Sequence, residues 1–384
     1  MNKSLITLAV ISAACGTAYA DDVTLYGRAD LGLVYTHNEL SVGNTSTKDH
    51  AFTMESGNGG SSRFGLTGNE TLGNGMKINF IVENGFKADS GELSGGKEGR
   101  IFDREASVGV TGAYGTIRAG RMASILTDAG SMGYYAGTVN PFGTGWGTHV
   151  YSHANLFANN IGVMDNVVGY ISPNFAGMTV YAQYGMGEQG AENTARANRY
   201  AALGMKYSVG ALELAGAVDW TNKKSVGDAP GFGAIETKDA MTVNFGGSYD
   251  FGAIKTFVAT QYFKNAADVA SIVFDAKKYS EDGQVPQSFQ GVNADGYGLA
   301  FGASLPLGSG TAHFSTGMMD GEMKNDTHKV DVYAFSMAGA YTYSLSKRTT
   351  LYTAAGYVHK EAEQKSETAE LDTYQAAVGM IHTF

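Results

Sequence analysis

Six of the nine arginines in this 384-residue chain lie before residue 122. A guanidinium group stays ionised at any working pH, so several of them along one surface would attract anions. Acidic residues lie nearby in the sequence, and Asp30, Glu83 and Glu105 could instead pair with the arginines and only hold the structure together. The elements that carry these side chains decide between the two interpretations. The six arginines are Arg28, Arg63, Arg100, Arg104, Arg118 and Arg121.

Apolar and polar residues alternate around several of these arginines. In residues 25–33 the odd positions are apolar or small, whereas Tyr26, Arg28 and Asp30 occupy even positions. Residues 76–82 repeat the pattern. Alternation with a period of two is typical of β-strands. It places four basic residues on the face opposite the apolar one: Arg28, Arg63, Lys77 and Arg118.

The composition agrees with an all-β chain. Tyr (22) and Phe (19) far outnumber Trp (2), and Pro is rare (5), which favours strands over helices. No segment after residue 20 is long and apolar enough to predict a membrane-spanning helix. The net charge is −10 and no basic run exceeds two residues, so nucleic acid is not expected as a partner.

The first twenty residues are predicted to be a secretory signal peptide. Lys3 supplies a positive start, residues 5–14 are apolar, and Ala18-Tyr19-Ala20 matches a cleavage site. Cys15 is the only cysteine and would leave with this segment. We therefore expect residues 21–384 to form one domain without a disulfide or a thiolate metal site.

Turn signals divide the rest of the chain in a regular rhythm. Seven short turns, such as the one at Asn74-Gly75, alternate with eight longer polar stretches, which include residues 37–50, 122–165 and 360–370. Fifteen connections join sixteen antiparallel strands. An even number of strands, with short turns at one rim and long loops at the other, is typical of an outer-membrane β-barrel.

The alternation alone does not show which face meets water. A soluble sandwich would bury Leu25, Leu31 and Leu33, whereas a membrane barrel would turn them towards lipid. The signal peptide, the unequal rims and the absence of cysteine favour the barrel. The last strand also favours it, because pairing of the strand that ends at Phe384 with the first strand would remove both open edges from lipid.

Several short motifs follow one another along the chain: Leu25-Tyr26-Gly27, Ser62-Arg63-Phe64-Gly65-Leu66, Glu83-Asn84-Gly85-Phe86, Arg104-Glu105-Ala106 and Gly115-Thr116-Ile117-Arg118-Ala119-Gly120-Arg121. Taken in order, they resemble the general porins of Gram-negative bacteria, especially the β-proteobacterial branch. The resemblance implies a sixteen-stranded antiparallel transmembrane β-barrel in the outer membrane, usually a homotrimer. Such a barrel passively admits small hydrophilic solutes and inorganic ions, and lies among outer-membrane lipid and lipopolysaccharide.

The resemblance also assigns roles to individual residues. Phe384 looks like the family's terminal signal for the barrel assembly machinery, and the third loop is implied to fold back into the lumen. Arg121 has the parity of the apolar face, but the resemblance places it near the pore. We therefore include it, with Arg28, Arg63, Lys77 and Arg118, in a predicted constriction wall.

The longest connection, residues 122–165, is the predicted constriction loop. A barrel of sixteen strands leaves a channel that side chains cannot fill, so another segment must narrow it if it is to sieve. Asn140-Pro141-Phe142-Gly143 resembles the tip of the family's constriction loop. The many aromatic residues of the segment argue against the alternative, a disordered external loop. Asp128 is the only acid between residues 122 and 160, so we expect a modest anion preference.

An enzyme, a cofactor and a metal site are not expected. His149 and His153 have a metal-ligand spacing only if their segment is helical, which its Gly and Asn content disfavours. No Gly-x-Ser-x-Gly motif is present. The alternative to an open channel is a plugged outer-membrane barrel whose loops act as a binding protein or adhesin.

Overall fold

The computed structural model describes residues 22–94, 100–146, 156–158, 162–187, 199–222, 226–229, 233–235, 238–266, 293–324, 329–364 and 367–384. The predicted signal peptide, His149 and His153 lie outside these ranges. Within them, no helix has the length and apolar character needed to cross a lipid bilayer. The same ranges contain no group of three or more His, Cys, Asp or Glu residues arranged to hold a metal ion.

The described chain is almost entirely β-structure, with one short helix. The strands are β1 Asp22–Val42, β2 Thr45–Ser56, β3 Arg63–Gly73, β4 Met76–Gly85, β5 Glu105–Gly112, β6 Gly115–Ala123, β7 Val163–Ile171, β8 Met178–Gly185, β9 Arg199–Val209, β10 Leu212–Asn222, β11 Val226–Ala229, β12 Gly233–Ile235, β13 Ala240–Asp250, β14 Lys255–Ala266, β15 Ala294–Leu307, β16 Gly310–Lys324, β17 Lys329–Ser344, β18 Thr349–Gln364 and β19 Glu367–Thr383. The helix, α1, spans Tyr135–Val139 and lies between β6 and β7.

Seventeen of these strands form one antiparallel sheet that closes on itself, because β1 pairs with β19 as well as with β2 and β3. β2 and β3 are two halves of one wall strand: β1 pairs with β2 from Leu31 onward and with β3 up to Arg28. The wall therefore has sixteen strand positions, as predicted. β11 and β12 form a separate small hairpin.

The closing seam joins the two ends of the barrel. The main-chain N–H of Gly27 donates to the Phe384 carbonyl at 2.9 Å, and the N–H of Phe384 donates to the Gly27 carbonyl at 3.0 Å. From Arg28 to Val42, β1 continues in register with β19. The terminal strand thus removes the free edge of the first strand, which lipid could not satisfy.

The short turns lie where the sequence predicted them, but several long loops are shorter than expected. Residues 37–50 are not a loop: β1 runs to Val42, Gly43 and Asn44 make the turn, and β2 begins at Thr45. Likewise, most of residues 360–370 belong to β18 and β19. The polar sequence was misleading because a strand that continues beyond the lipid needs no apolar face. Polarity there marks the end of the lipid contact and not the end of the strand.

The two faces of the wall have opposite character, in the sense predicted for a membrane barrel. Leu25, Val108 and Ile117 expose 61%, 55% and 48% of their surface on the outside. Asp30 and Arg118 are buried on the inside, at 0% and 6% exposure. Apolar side chains therefore face lipid, and charged side chains face the lumen.

Candidate functional site

One sector of the inner wall brings together five charged side chains from the first third of the chain. β1, β3, β4 and β5 lie side by side in this sector. Arg28 of β1 lies opposite Arg63 of β3, and Glu83 of β4 lies opposite Glu105 of β5. Arg104 immediately precedes β5. We call this sector the arginine wall; it consists of Tyr26, Arg28, Arg63, Glu83, Arg104 and Glu105.

Glu83 is at the centre of the arginine wall. Arg104 Nε donates to Glu83 Oε1 at 2.6 Å, and Arg63 Nε lies 3.4 Å from Glu83 Oε2. The Tyr26 hydroxyl donates to Glu83 Oε2 at 3.0 Å. Charge-assisted hydrogen bonds of this kind are stronger and more directional than neutral ones. One carboxylate therefore fixes two guanidinium groups on the lumen face.

Glu105 joins the arginine wall to the loop that crosses the lumen. Its carboxylate accepts hydrogen bonds from the Ser131 hydroxyl at 2.6 Å and from the Ser131 N–H at 2.9 Å. Arg118 Nη1 lies 3.9 Å away and donates to Ser107 Oγ at 2.8 Å. Arg118 also donates to Asn79 Oδ1. This arginine is held inside the wall by several partners.

The described part of residues 122–165 lies against the inside of the barrel, which agrees with the predicted inward fold of the third loop. Its first turn is held by Gln183 of β8, whose side chain accepts from the Ile125 N–H at 2.9 Å and donates to the Ala123 carbonyl at 2.8 Å. The Tyr200 hydroxyl of β9 lies 3.0 Å from Ser124 Oγ. The loop thus enters the lumen through contacts with buried polar side chains.

Two tyrosines fix the middle of the loop to the opposite wall. Tyr134 stacks on Tyr181 of β8 at 4.1 Å between ring centroids and donates its hydroxyl hydrogen to the Gly216 carbonyl of β10 at 2.7 Å. The Tyr135 hydroxyl donates to the Thr260 carbonyl of β14 at 3.4 Å. Burial raises the pKa of both loop phenols, Tyr134 and Tyr135. Both therefore remain protonated donors at physiological pH.

The predicted tip of the loop lies further along the same wall. Pro141 packs on β15, where a Cβ added to Gly302 would lie 2.5 Å from Pro141 Cδ. Phe142 is 3% exposed and packs edge-on against Trp146 at 5.4 Å. Gly143 has φ +58°, a conformation that favours glycine, and an added Cβ there would overlap Asp128. The tip is therefore an ordered turn.

A cavity of about 450 Å³ separates the arginine wall from this loop. The lining includes all six residues of the arginine wall and Ile81 beside them. The loop contributes residues 128–131, Phe142 and residues 144–145. Gly59, Gly60 and Ser61, which connect β2 and β3, also line it. Asp128 Oδ1 accepts the Thr144 N–H at 3.2 Å and the Thr144 hydroxyl. The lining is thus mostly polar, with charge of both signs.

The cavity brings together some of the predicted site residues and not others. Arg28, Arg63, Asp128 and Phe142 line it. Lys77, Arg118, Arg121, Pro141 and Gly143 are not in its described lining. Lys77 lies two residues after the turn at Gly75, at the rim with the short turns. Arg121 donates to the Asp103 carbonyl and to Asp165 Oδ1, both at 2.6 Å.

Four side chains of the arginine wall were not among the predicted site residues. They are Tyr26, Glu83, Arg104 and Glu105. Tyr26 and Glu83 have the lumen parity of their strands, so the alternation could have identified them. Arg104 lies just before a strand, where alternation does not determine the direction of a side chain.

Comparison with known proteins identifies the family. A family model described as Gram-negative porin matches residues 7–363. An outer membrane porin protein of Bordetella pertussis is 29% identical over 418 aligned positions, which cover 100% of both chains. Outer membrane porin protein 32 of Delftia acidovorans is 28% identical over 92% of this chain and 88% of its own.

Solved structures show the same fold. The anion-selective porin from Comamonas acidovorans superposes with a TM-score of 0.67 and 23% identity, over 94% of this chain and 99% of that one. The relatives are channel proteins rather than enzymes. With the closed sixteen-strand wall and the charged lumen, these matches show that the chain belongs to the Gram-negative porin family and is an outer-membrane channel protein.

Proposed function

We propose that the cavity between the arginine wall and the loop is the constriction of a water-filled channel. Small hydrophilic solutes and inorganic ions would diffuse through it passively, with a modest preference for anions. The loop supports this function because its buried contacts reach from β8 to β15, while the cavity lies between the loop and the arginine wall.

The charges around the cavity balance in number, so the anion preference depends on which of them a passing ion meets. The lining holds three arginines, Arg28, Arg63 and Arg104, and three carboxylates, those of Glu83, Glu105 and Asp128. Arg118 lies 3.9 Å from Glu105 behind the lining and offsets part of its charge. Asp30, whose carboxylate accepts from Gly59 and Gly60 behind the lining, balances Arg118, so four arginines face four carboxylates.

The observation that carries the proposal is the unequal exposure of the charges on the arginine wall. The side chains of Arg63 and Arg104 are 27% and 19% exposed, whereas that of Glu83, which lies between them, is 9% exposed and that of Glu105 is 1% exposed. At the arginine wall, an ion in the cavity therefore meets guanidinium groups more closely than carboxylates, whereas the exposed carboxylate of Asp128 lies on the loop side. Screening is weaker in a narrow passage than in bulk water, so this difference acts on permeation.

The remaining expectations concern processing and assembly. We propose that residues 1–20 are removed as a signal peptide, that Phe384 is read by the barrel assembly machinery, and that three copies associate in a membrane of lipid and lipopolysaccharide. The pairing of Phe384 with Gly27 supports the second point, because the last residue completes the closing seam. Small outward residues on the first strands, such as Ala29 and Ala119, are compatible with close packing between copies.

Reversal potentials across a bilayer with a salt gradient test the proposed selectivity. We expect the reversal potential of the purified protein to have the sign of a modest anion preference. Clear cation selectivity would contradict the proposal. Swelling of liposomes that contain the protein, in solutions of small neutral sugars, separates an open channel from the plugged binding barrel, because only the open channel admits the sugar.

A further inference from the structure

Residues 57–62 leave the barrel wall in the middle of its second strand position. β1 pairs with β3 up to Arg28 and Arg63, and resumes with β2 at Leu31 and Ser56. Two residues of β1 therefore face six residues of its partner, a surplus of four. The surplus projects into the lumen, because residues 59–61 line the cavity. We call residues 57–62 the inward turn.

Asp30 holds the inward turn through nearly all of its polar atoms. Its Oδ2 accepts the N–H groups of Gly59 and Gly60, both at 2.7 Å. Its carbonyl accepts the Gly57 N–H at 3.0 Å, and its own N–H donates to Ser62 Oγ at 2.9 Å. The residue is fully buried. A carboxylate that accepts several backbone N–H groups is a strong determinant of local backbone position.

The backbone of the inward turn lies directly against the arginine wall. A Cβ added to Gly60 would overlap Arg28 Nη1, so the guanidinium packs against a position where only glycine leaves room. A Cβ added to Gly59 would lie 2.8 Å from Ile381 Cδ1 of β19. The turn therefore fills the space beside β1 and fixes the direction of the Arg28 side chain.

Asp30 is also connected to the tip of the third loop. The Tyr352 hydroxyl of β18 donates to Asp30 Oδ1 at 2.9 Å. The Trp146 ring packs edge-on against Tyr352 at 5.4 Å, and a Cβ added to Gly145 would lie 2.8 Å from the Gly59 carbonyl oxygen. The inward turn and the loop therefore touch each other, and both depend on the same buried carboxylate.

We propose that the inward turn is a second constriction element and that Asp30 is the positioning residue that keeps it in the lumen. This inference rests on the proposed function, since it assumes that the cavity is the narrow part of the channel. The third loop sets one side of the opening, and the inward turn sets an adjacent side. Release of the turn widens the opening and lets Arg28 move away from the passing ion.

Deletion of residues 58–61 tests the proposal directly. It leaves Gly57 and Ser62 opposite Ala29 and Asp30, two residues against two, so the ladder can continue without a surplus. The measurement is the size of polyethylene glycol that still enters the channel in planar bilayers, together with the reversal potential. We expect entry of larger polymers, a conductance roughly 1.5- to 2-fold above that of the parent, and a weaker anion preference.

Two substitutions of Asp30 separate position from charge. In Asp30→Asn the amide oxygen can still accept from Gly59 and Gly60 while the amide N–H₂ meets the Tyr352 hydroxyl oxygen. We expect the polymer cut-off of the parent. Asp30→Ala releases the turn, and we expect a larger cut-off and a weaker anion preference. Loss of a negative charge alone would strengthen that preference, so the sign of the change distinguishes the two effects.

The outcomes separate this inference from the proposed function. Retention of the heat-resistant folded form on gels shows that each variant still forms the barrel, and the deletion carries the test if Asp30→Ala does not fold. A conducting parent with an unchanged cut-off in the deletion variant overturns the inference and leaves the proposed function standing. An Asp30→Asn channel as wide as Asp30→Ala also overturns it. A parent that does not conduct overturns both.

Discussion

Ser131 of the third loop is bound twice by Glu105 of the barrel wall. The Ser131 hydroxyl donates to Oε1 at 2.6 Å and the Ser131 N–H donates to Oε2 at 2.9 Å. The loop is thus attached to the arginine wall on one side of the cavity, as well as to the opposite wall through Tyr134 and Tyr135. A constriction held on both sides should keep a constant width.

The attachment predicts a quiet open channel that becomes noisy when Glu105 is lost. Glu105→Ala removes both bonds to Ser131 and leaves Arg118 without its nearby carboxylate. We expect larger open-channel current fluctuations in single-channel recordings, and a smaller increase for Ser131→Ala, which keeps the N–H bond. Thr138→Val is the matched control, because the Thr138 hydroxyl donates only within the loop, to the Tyr134 carbonyl. A Glu105→Ala channel as quiet as the parent would contradict the attachment.

Glu83→Gln is expected to strengthen the anion preference. The substitution leaves the guanidinium groups of Arg63 and Arg104 without their shared countercharge. We expect the ratio of anion to cation permeability to rise roughly two- to threefold, as measured by reversal potentials. The control is Asp165→Asn, which also removes a carboxylate from two arginines, Arg100 and Arg121, but outside the described cavity lining. Equal shifts in both variants would refute the location of the selectivity site.

Arginine substitutions distinguish the side chains that line the cavity from those that do not. We expect Arg28→Ala, Arg63→Ala and Arg104→Ala each to lower the anion preference, because each removes a positive charge from the lining. Arg121→Ala should leave selectivity unchanged, since Arg121 is bound to Asp103 and Asp165 away from the cavity. Reversal potentials measure these changes. A large change in selectivity in Arg121→Ala, with none in the three variants of the lining, would contradict the prediction.

The entry of the loop into the lumen is expected to depend on Gln183. Gln183→Leu keeps the volume but leaves the Ile125 N–H and the Ala123 carbonyl without their partner, at a cost of about 1–3 kcal/mol for each buried group. We expect a lower temperature of barrel unfolding on heat-modifiability gels. Tyr184→Phe, one residue along on the exposed outer face, is the control and should unfold like the parent.

The sequence was sufficient for the topology because its signals are local. Turn residues such as Asn74-Gly75 indicate the number of strands, and the alternation around Arg28 shows which side chains share a face, without any knowledge of tertiary contacts. Alternation determines the face of a side chain and not its height along the barrel. Lys77 therefore has the predicted parity, but it lies near a turn at the rim and outside the described cavity lining.

The details of the site depend on contacts that no local pattern contains. Arg104 lies just outside a strand, and it is placed by Glu83, 21 residues earlier. The inward turn is visible only once β1 is seen to pair with β2 and β3 in turn. The position of the third loop depends on partners such as Gly216 and Thr260, which are distant in the chain.

Conductance of the purified protein in planar lipid bilayers tests the central claim, an open aqueous lumen, most directly. The account predicts discrete current steps whose size rises in proportion to the salt concentration, because ions cross in water. A correctly folded barrel that inserts into the bilayer and gives no steps at any salt concentration would contradict it.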